Sequence, residues 1–203
     1  PAVVERLLAQ PDQAALGGTR QRVAVLFADI RGFSVYSAQT SPEILVQVLN
    51  RHLAVAAEAV LAEEGTLDKF MGDGVMALFN TPLAQPDYVM RAVRAALRLQ
   101  YAISKAHQKL PPEHRLPFGV GISVGEAVVG NIGTSEMMSF TAIGDAVNLG
   151  RRLQENAAGG QILLAQNAYQ RVKEQVKARP VGTLQIEGRD QPEPIYQLLD
   201  LRE

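Results

Sequence analysis

A short hairpin signal constrains the fold of this chain more than any other feature. Residues 66–79 read TLDKFMGDGVMALF, two apolar runs around the tripeptide Gly72-Asp73-Gly74. The glycines supply the backbone angles of a tight turn, and so short a turn joins antiparallel strands. The hairpin therefore argues against a doubly wound parallel sheet. Asp73 in the turn and Lys69 in the preceding strand are charges that a plain surface hairpin, the simplest interpretation, would not require.

The order of apolar runs around this hairpin predicts an α+β fold. Residues 22–28, RVAVLFA, form a continuous apolar run that is typical of a central strand. Helices are predicted over 41–64, 88–109, 144–156 and 166–174, and further strands over 118–123, 126–132, 137–142, 161–164, 176–187 and 193–199. The order β-α-β-β-α-β predicts a ferredoxin-like split βαβ sheet with helices on one face, plus a C-terminal α/β extension.

Composition and charge exclude several classes of function. The chain has 203 residues, 47% of them hydrophobic, which suits one globular domain with a substantial core. A formal net charge of -1 gives no basic excess, so no nucleic-acid partner is expected. The lack of cysteine excludes disulfides, thiolate metal sites and a thiol nucleophile. No apolar run approaches the ~20 residues of a membrane span and no signal-peptide pattern is present, so a cytoplasmic domain is expected.

We divide the chain into a linker and one domain. Residues 1–20 combine a short helical pattern with a polar stretch that ends in glycines, which is typical of a connector. Residues 21–203 form the predicted domain. Because the first residue is Pro1 rather than Met, we expect an upstream regulatory domain in a longer protein, which could be attached to a membrane.

Two aspartates stand where the predicted sheet would bring them together. Asp29 ends the buried first strand and Asp73 lies in the hairpin turn. A carboxylate pair with few other ligands suits Mg²⁺ or Mn²⁺, which rely on substrate phosphates to complete their shell. The loop around Gly32 adds N–H groups that can cradle phosphate. Each aspartate alone could be a strand cap or a turn former, but two negative charges side by side indicate a cation between them.

The helix predicted from Gly144 carries another polar pair. Asn148 and Arg152 lie one helical turn apart, so they share a face and could hold a ribose and a phosphoryl group. An ordinary solvated face is the alternative interpretation. Arg151 points in another direction and is expected at the surface.

Three ordered motifs resemble those of the class III nucleotide cyclase catalytic domain. They are FADIRGFS at 27–34, DKFMGDGVMALF at 68–79 and FTAIGDAVNLGRRL at 140–153. The resemblance runs from about residue 22 to residue 199, nearly the whole chain. It implies a phosphorus-oxygen lyase that makes a cyclic nucleotide and pyrophosphate from a nucleoside triphosphate, with two metal ions at the attacking and leaving oxygens.

The resemblance also implies the ligands of the metal ions and the phosphates. Asp29, Asp73 and the backbone carbonyl of Ile30 would bind two Mg²⁺ or Mn²⁺ ions. The loop that would wrap the β- and γ-phosphates consists of Arg31, Gly32, Phe33 and Ser34. The base that deprotonates the attacking hydroxyl group stays open, and a metal-bound alkoxide near Asp29 is one answer.

Further roles follow from the resemblance for residues later in the chain. Asn148 would orient the ribose, and Arg152 would stabilise the charge that develops at the α-phosphate. Many family members have a triphosphate-binding lysine in the late hairpin, where this chain has Glu187. Arg189, two residues on, is the candidate substitute.

The choice of base follows from hydrogen-bonding chemistry. Lys69 is a donor that matches adenine N1, and the Thr141 hydroxyl group can accept from the adenine 6-amino group. Guanine has a donor at N1 and would need an acceptor such as glutamate. The pair predicts an adenylate cyclase with ATP as substrate. Because many relatives have aspartate in place of Thr141, the threonine resembles a subgroup that bicarbonate stimulates, so bicarbonate is carried as a possible effector.

The family's active site is composite, and this implies a homodimer. Asp29 and Asp73 come from one subunit. The other subunit supplies Asn148, Arg152 and the base-reading pair, which is Lys69 and Thr141. Alternatives are a guanylate cyclase, another phosphoryl transferase on a polymerase-palm-like sheet, and a catalytically silent module that binds nucleotide or dimerises. The base-reading pair disfavours the first, and the retained site residues disfavour the last.

Overall fold

The computed structural model describes residues 16–186 and 191–202, which form one mixed sheet flanked by helices. The strands are β1 (Gly17–Ile30), β2 (Thr66–Met71), β3 (Gly74–Phe79), β4 (Phe118–Gly133), β5 (Met138–Ile143), β6 (Ile162–Ala165), β7 (Val176–Leu184) and β8 (Glu193–Leu201). The helices are α1 (Phe33–Gln39), α2 (Pro42–Leu61), α3 (Tyr88–His107), α4 (Asp145–Asn156) and α5 (Gln166–Val172), with a 3₁₀ turn at Pro112–His114.

The strand order confirms the predicted fold class. The order is β2-β3-β1-β4-β6-β8-β7, and β5 pairs with the second half of β4. Strand β1 is antiparallel to both β3 and β4, which gives the split βαβ core, whereas β6 is parallel to β4. The C-terminal extension is formed by β6, α5, β7 and β8.

The apolar run in β1 is continuous because both faces of the strand are covered. Leu26 belongs to the large core cluster with residues of α2 and α3. Phe27, which points the other way, belongs to a second cluster with Ala146 of α4. Strand side chains alternate between the faces of a sheet, so burial of both faces requires an apolar residue at every position.

The position of α4 differs from the prediction that the helices share one face. Helices α2 and α3 pack on one side of β1, and α4 packs on the other. A Cβ at Gly150 would lie 3.2 Å from the ring of Phe27, so the helix approaches the sheet closely where a glycine stands. The amphipathic pattern of α4 shows which side of the helix is buried, but not which face of the sheet covers it.

Strand β4 also differs from the prediction, because it is unbroken where two strands, 118–123 and 126–132, were expected to join near residues 124–125. Gly125 pairs in register with Val23 of β1. A Cβ at Gly125 would lie 2.9 Å from the Cβ of Ala146. The glycine therefore makes room for α4, and it does not form a turn.

Two segments near the start of the domain extend beyond the sequence predictions. Strand β1 begins at Gly17, inside the range predicted as linker, and helix α1 occupies a segment that was expected to be loop. Helix α1 has no buried residue, so it lacks the apolar periodicity that would reveal it in the sequence. It begins after Gly32, whose φ of 79° lies in the left-handed region that favours glycine.

Helix α2 is long and apolar. Within the described residues, α2 has the length and mean hydropathy (1.4) of a membrane-crossing helix, contrary to the expectation that no such run exists. It contacts α3 and the β2–β3 hairpin, and its buried residues include Val48 and Ala56. Only 28% of this apolar stretch is buried, so the packing covers one side of the helix and leaves apolar residues such as Val46 (53%) exposed.

Candidate active site

Two carboxylates meet at one end of the sheet. Asp29 in β1 lies opposite Gly74 of β3, and the N–H group of Ile30 donates to the carbonyl oxygen of Asp73 at 3.3 Å. A Cβ at Gly74 would lie 2.8 Å from Asp29 Oδ1, so the missing side chain leaves room for the carboxylate. Sheet pairing and the tight turn thus hold the backbones of Asp29 and Asp73 side by side.

The electrostatics of this pair favour a bound cation. Burial and, next, the negative charge of Asp73 raise the pKa of Asp29, although Arg31 opposes the shift. Like charges held together in this way are stabilised by a cation between them. No cluster of three or more acidic, histidine or cysteine side chains that could hold a metal occurs in the part of the chain that the structure describes. Two carboxylates fit Mg²⁺ or Mn²⁺ whose remaining ligands are water, a backbone carbonyl and substrate phosphates.

The loop after Asp29 joins the carboxylate pair to helix α4. The Arg31 N–H group donates to the Pro117 carbonyl oxygen at 2.8 Å. The Arg31 guanidinium group donates to the carbonyl oxygen of Gln154 and lies 3.8 Å from Asp29 Oδ2. Both the N–H group and the guanidinium group of Arg31 therefore bind protein atoms. In α1 the first intrahelical bond runs from the Tyr36 N–H group to the Gly32 carbonyl oxygen, so the N–H groups of Phe33, Ser34 and Val35 precede it and have no acceptor within the helix.

A second polar group surrounds Thr141 of β5. Lys69 Nζ of β2 donates to Thr141 Oγ1 at 3.1 Å, and Thr141 is 7% exposed. The Thr141 hydroxyl group in turn donates to Asp68 Oδ2 at 2.5 Å. Lys69 and Thr141 were singled out in the sequence, but Asp68 was not. Only the tertiary contact between β2 and β5 reveals it.

Helix α4 presents the third polar group on its exposed side. Asn148 is exposed, and Arg152 Nη1 lies 2.9 Å from Glu155 Oε2. Arg151 binds the other oxygen of the same carboxylate at 3.1 Å. The sequence analysis expected Arg151 at the surface and Arg152 on the face shared with Asn148. Both arginine side chains are more than half exposed, so exposure does not distinguish them. Helical spacing alone places Asn148 and Arg152 on a shared face.

All three groups lie on the side of the sheet that α4 covers. Asp29 follows Phe27 in the alternation of β1, and Lys69 pairs with Met76, which belongs to the cluster on that side. The residues Glu187 and Arg189, expected near the triphosphate, lie outside the described residues. This face of one chain therefore presents a carboxylate pair, a Lys–Thr pair and an Asn–Arg pair.

Comparison with known proteins gives related sequences and structures over almost the whole chain. Residues 18–200 match the model of the adenylate and guanylate cyclase catalytic domain. Over 186 residues, 89% of the chain, the sequence is 38% identical to adenylate cyclase 1 of Rhizobium meliloti (strain 1021). The match covers 28% of that relative, so the chain spans under a third of its length.

Two solved structures are similar in fold and sequence. The adenylyl cyclase CyaB from P. aeruginosa superposes with a TM-score of 0.86 at 32% identity, covering 92% of this chain and 98% of that one. The guanylyl cyclase Cya2 superposes with a TM-score of 0.83 at 34% identity, covering 93% and 96% of the two chains. The chain belongs to the family of adenylate and guanylate cyclase catalytic domains, the class III nucleotide cyclases.

Proposed function

We propose that this domain is an adenylate cyclase that converts ATP to 3′,5′-cyclic AMP and pyrophosphate. The contact between Lys69 and Thr141 carries the choice of nucleotide. Overall similarity does not decide it, because an adenylyl and a guanylyl cyclase resemble the chain almost equally. A lysine donor and a hydroxyl acceptor match N1 and the 6-amino group of adenine, whereas guanine has the opposite pattern.

The remaining residues take roles around the triphosphate. Asn148 orients the ribose, and Arg152 exchanges its ion pair with Glu155 for the charge that develops on the α-phosphate in the transition state. The N–H groups at Gly32, Phe33 and Ser34 receive the β- and γ-phosphates. Arg189 is proposed as a further contact to the triphosphate.

Asp29, Asp73 and the backbone carbonyl of Ile30 would hold the metal ions. Two Mg²⁺ or Mn²⁺ ions bound there would stabilise negative charge on the attacking and leaving oxygens. The raised pKa of Asp29 and the close approach of its carboxylate to Gly74 support this assignment.

The active form is proposed to be a homodimer with two composite sites. Large apolar side chains stand exposed beside both halves of the site: Phe70 (49%) and Met71 (39%) on β2, and Met138 (41%) and Ile143 (56%) on β5. These side chains lie on the two strands that carry Lys69 and Thr141, and a partner subunit that covered them would gain the free energy of removing their apolar area from water. A twofold partner would place the aspartates of one subunit opposite Asn148 and Arg152 of the other.

Three wider proposals concern control and location. The threonine at position 141 supports stimulation by bicarbonate. At fixed pH and ionic strength, added bicarbonate should raise activity, and a flat response would contradict it. An upstream regulatory domain and a cytoplasmic position, where ATP is present, complete the proposal for the longer protein.

One incubation tests the proposed function. Purified protein with Mn²⁺ and either ATP or GTP should release cyclic AMP and pyrophosphate from ATP, with much less cyclic product from GTP. A preference for GTP would favour the second candidate, a guanylate cyclase, which the similarity to Cya2 supports. No product from either nucleotide would favour a silent nucleotide-binding or dimerisation module.

A further inference from the structure

We propose that Asp68 sets the choice of base by fixing the direction of the Thr141 hydroxyl hydrogen. The inference rests on the proposed function and adds a residue to it. The Asp68 side chain is 0% exposed, yet it lies beside the two groups that face the base. No role assigned above uses this carboxylate.

A β-bulge brings Asp68 and Lys69 to the same point. Leu67 pairs with Ala77 and Lys69 pairs with Met76, so Asp68 is the extra residue between consecutive pairs. In a regular strand, consecutive side chains point to opposite faces. A bulge interrupts this alternation and re-aims a side chain. As a result, both Asp68 and Lys69 contact Thr141 on the neighbouring β5.

The contacts determine what Thr141 can offer a ligand. Its hydroxyl group donates to Asp68 Oδ2 at 2.5 Å. A hydroxyl group has one hydrogen and two lone pairs, so this contact uses its only donor. Lys69 Nζ donates to Thr141 Oγ1 at 3.1 Å and lies 3.2 Å from Asp68 Oδ1. What remains available at Thr141 is a lone pair, which can only accept.

An acceptor-only Thr141 selects between the two purine bases. The 6-amino group of adenine donates to it, while N1 accepts from Lys69. The 6-oxo group of guanine would place an acceptor against an acceptor, an arrangement that leaves both groups without a hydrogen bond. Without Asp68, the Thr141 hydrogen could turn towards a 6-oxo group. Asp68 is thus a positioning residue that acts through Thr141.

A binding measurement tests this role independently of turnover. The ligands are 3′-deoxy-ATP and 3′-deoxy-GTP, which lack the attacking hydroxyl group, and they are titrated with Mn²⁺ into wild-type protein and Asp68→Leu, which has no hydrogen-bond acceptor at this position. We expect the wild type to prefer the adenine ligand and Asp68→Leu to lower the ratio of the two affinities about tenfold, the order expected for one hydrogen bond gained or lost. The control Asp200→Leu, at an exposed position in β8, should keep the wild-type ratio.

The outcomes separate this proposal from the proposed function. A folded Asp68→Leu whose affinity ratio stays within about twofold of the wild type overturns the role of Asp68. A merely structural role would lower Tm and leave the ratio unchanged, so that result also overturns it. If the wild type binds the adenine ligand preferentially but makes no cyclic AMP from ATP, the proposed function fails while the test of Asp68 stands. A wild type without preference overturns both.

A measurement on the wild type covers the case in which Asp68→Leu does not fold. The triphosphate of purine riboside keeps N1 as an acceptor but has hydrogen in place of the 6-amino group. Its 3′-deoxy form should bind about five- to tenfold more weakly than 3′-deoxy-ATP, because the ligand has no 6-amino group to donate a hydrogen bond to Thr141. An equal affinity would overturn the proposal.

Discussion

At the scale of single residues, the negative charges of Asp29 and Asp73 affect both the folding free energy and the proposed binding of a metal ion. Burial and the charge of Asp73 both disfavour the ionised form of Asp29, as its raised pKa shows. Without a cation, two carboxylates at neutral pH therefore cost folding free energy. A cation held by the two proposed ligands would make the same arrangement favourable, because their backbones are already held side by side.

Asp73→Asn should stabilise the metal-free protein and abolish its response to metal. Removing one negative charge relieves the repulsion, so Tm in a chelator should rise by about 2–4 °C for each ~1 kcal/mol gained. Added Mn²⁺ should raise Tm of the wild type but not of the variant. A variant that keeps the full Mn²⁺ response would show that Asp73 is no ligand.

Arg152 and Arg151 offer a matched pair on one helix. They bind the two oxygens of the same Glu155 and are both more than half exposed. Arg152→Ala should lower kcat about 10²–10³-fold with a smaller change in KM, as for a group that acts in the transition state. Arg151→Ala should retain near-wild-type kcat. Equal losses in the two variants would contradict the assignment of Arg152.

At the scale of elements, the close contact of α4 with β4 positions the helix that carries Asn148 and Arg152. A Cβ at Gly121 would lie 2.5 Å from the Gly150 carbonyl oxygen and closer still to the backbone nitrogen of Gln154. These are backbone atoms, so they cannot turn away as a flexible side chain can. The glycine therefore allows the helix to rest on the strand.

Gly121→Ala should destabilise the protein by about 2–3 kcal/mol and reduce activity in the fraction that stays folded. Urea unfolding and initial rates on the same samples measure both effects. Gly18→Ala is the control, because its nearest neighbour is the side chain of Val128, which is 40% exposed and can move. A fully stable and active Gly121→Ala would show that α4 does not depend on this contact.

An ion-pair network joins the start of α3 to the segment after α2. Asp87 binds Arg91 at 2.7 Å and Arg94 at 2.9 Å, and Arg94 also binds Glu63 at 2.7 Å. Hydrogen bonds from Arg94 and then Arg91 lower the pKa of Asp87 to about 2. A lowered pKa means that the pairing stabilises the fold above pH about 4 and is lost as pH falls through about 2.

Asp87→Asn should therefore lower Tm at pH 7 and lose this effect near pH 2. The Asp87 side chain is 45% exposed, so solvent screening limits the loss to under about 1 kcal/mol. Thermal unfolding between pH 7 and pH 2, with Asp200→Asn as control, measures the difference. A difference that does not depend on pH would assign the effect to packing.

At the scale of the whole molecule, the sequence predicted the features that depend on local patterns. The apolar run of β1 and the tight turn at Gly72-Asp73-Gly74 indicated the central strand and its antiparallel neighbour, and β1 does pair with β3. Features that depend on tertiary contacts were missed. The bulge at Asp68 exists only in the pairing of β2 with β3, and the continuity of β4 through Gly125 exists only in its pairing with β1.

The site residues also divide into those that local sequence patterns indicated and those that only tertiary contacts reveal. Asp29, Asp73 and Lys69 were singled out because strand ends, turns and a charge inside an apolar strand are visible in the sequence, and Thr141 was added together with the resemblance of motifs. The fully buried carboxylate of Asp68 carried no signal of its own, because an aspartate beside a lysine in a strand is ordinary. In the proposed homodimer, the three groups form one site only when a second copy of the chain is present.

Complementation between two inactive variants tests the composite site most directly. Asp73→Ala removes a metal ligand and Arg152→Ala removes the arginine, so each homodimer should make no cyclic AMP from ATP. In an equal mixture, about half of the dimers are heterodimers, and each of these has one intact site. We predict recovery of about a quarter of wild-type activity. No recovery in verified heterodimers, or substantial activity in either variant alone, would contradict the account.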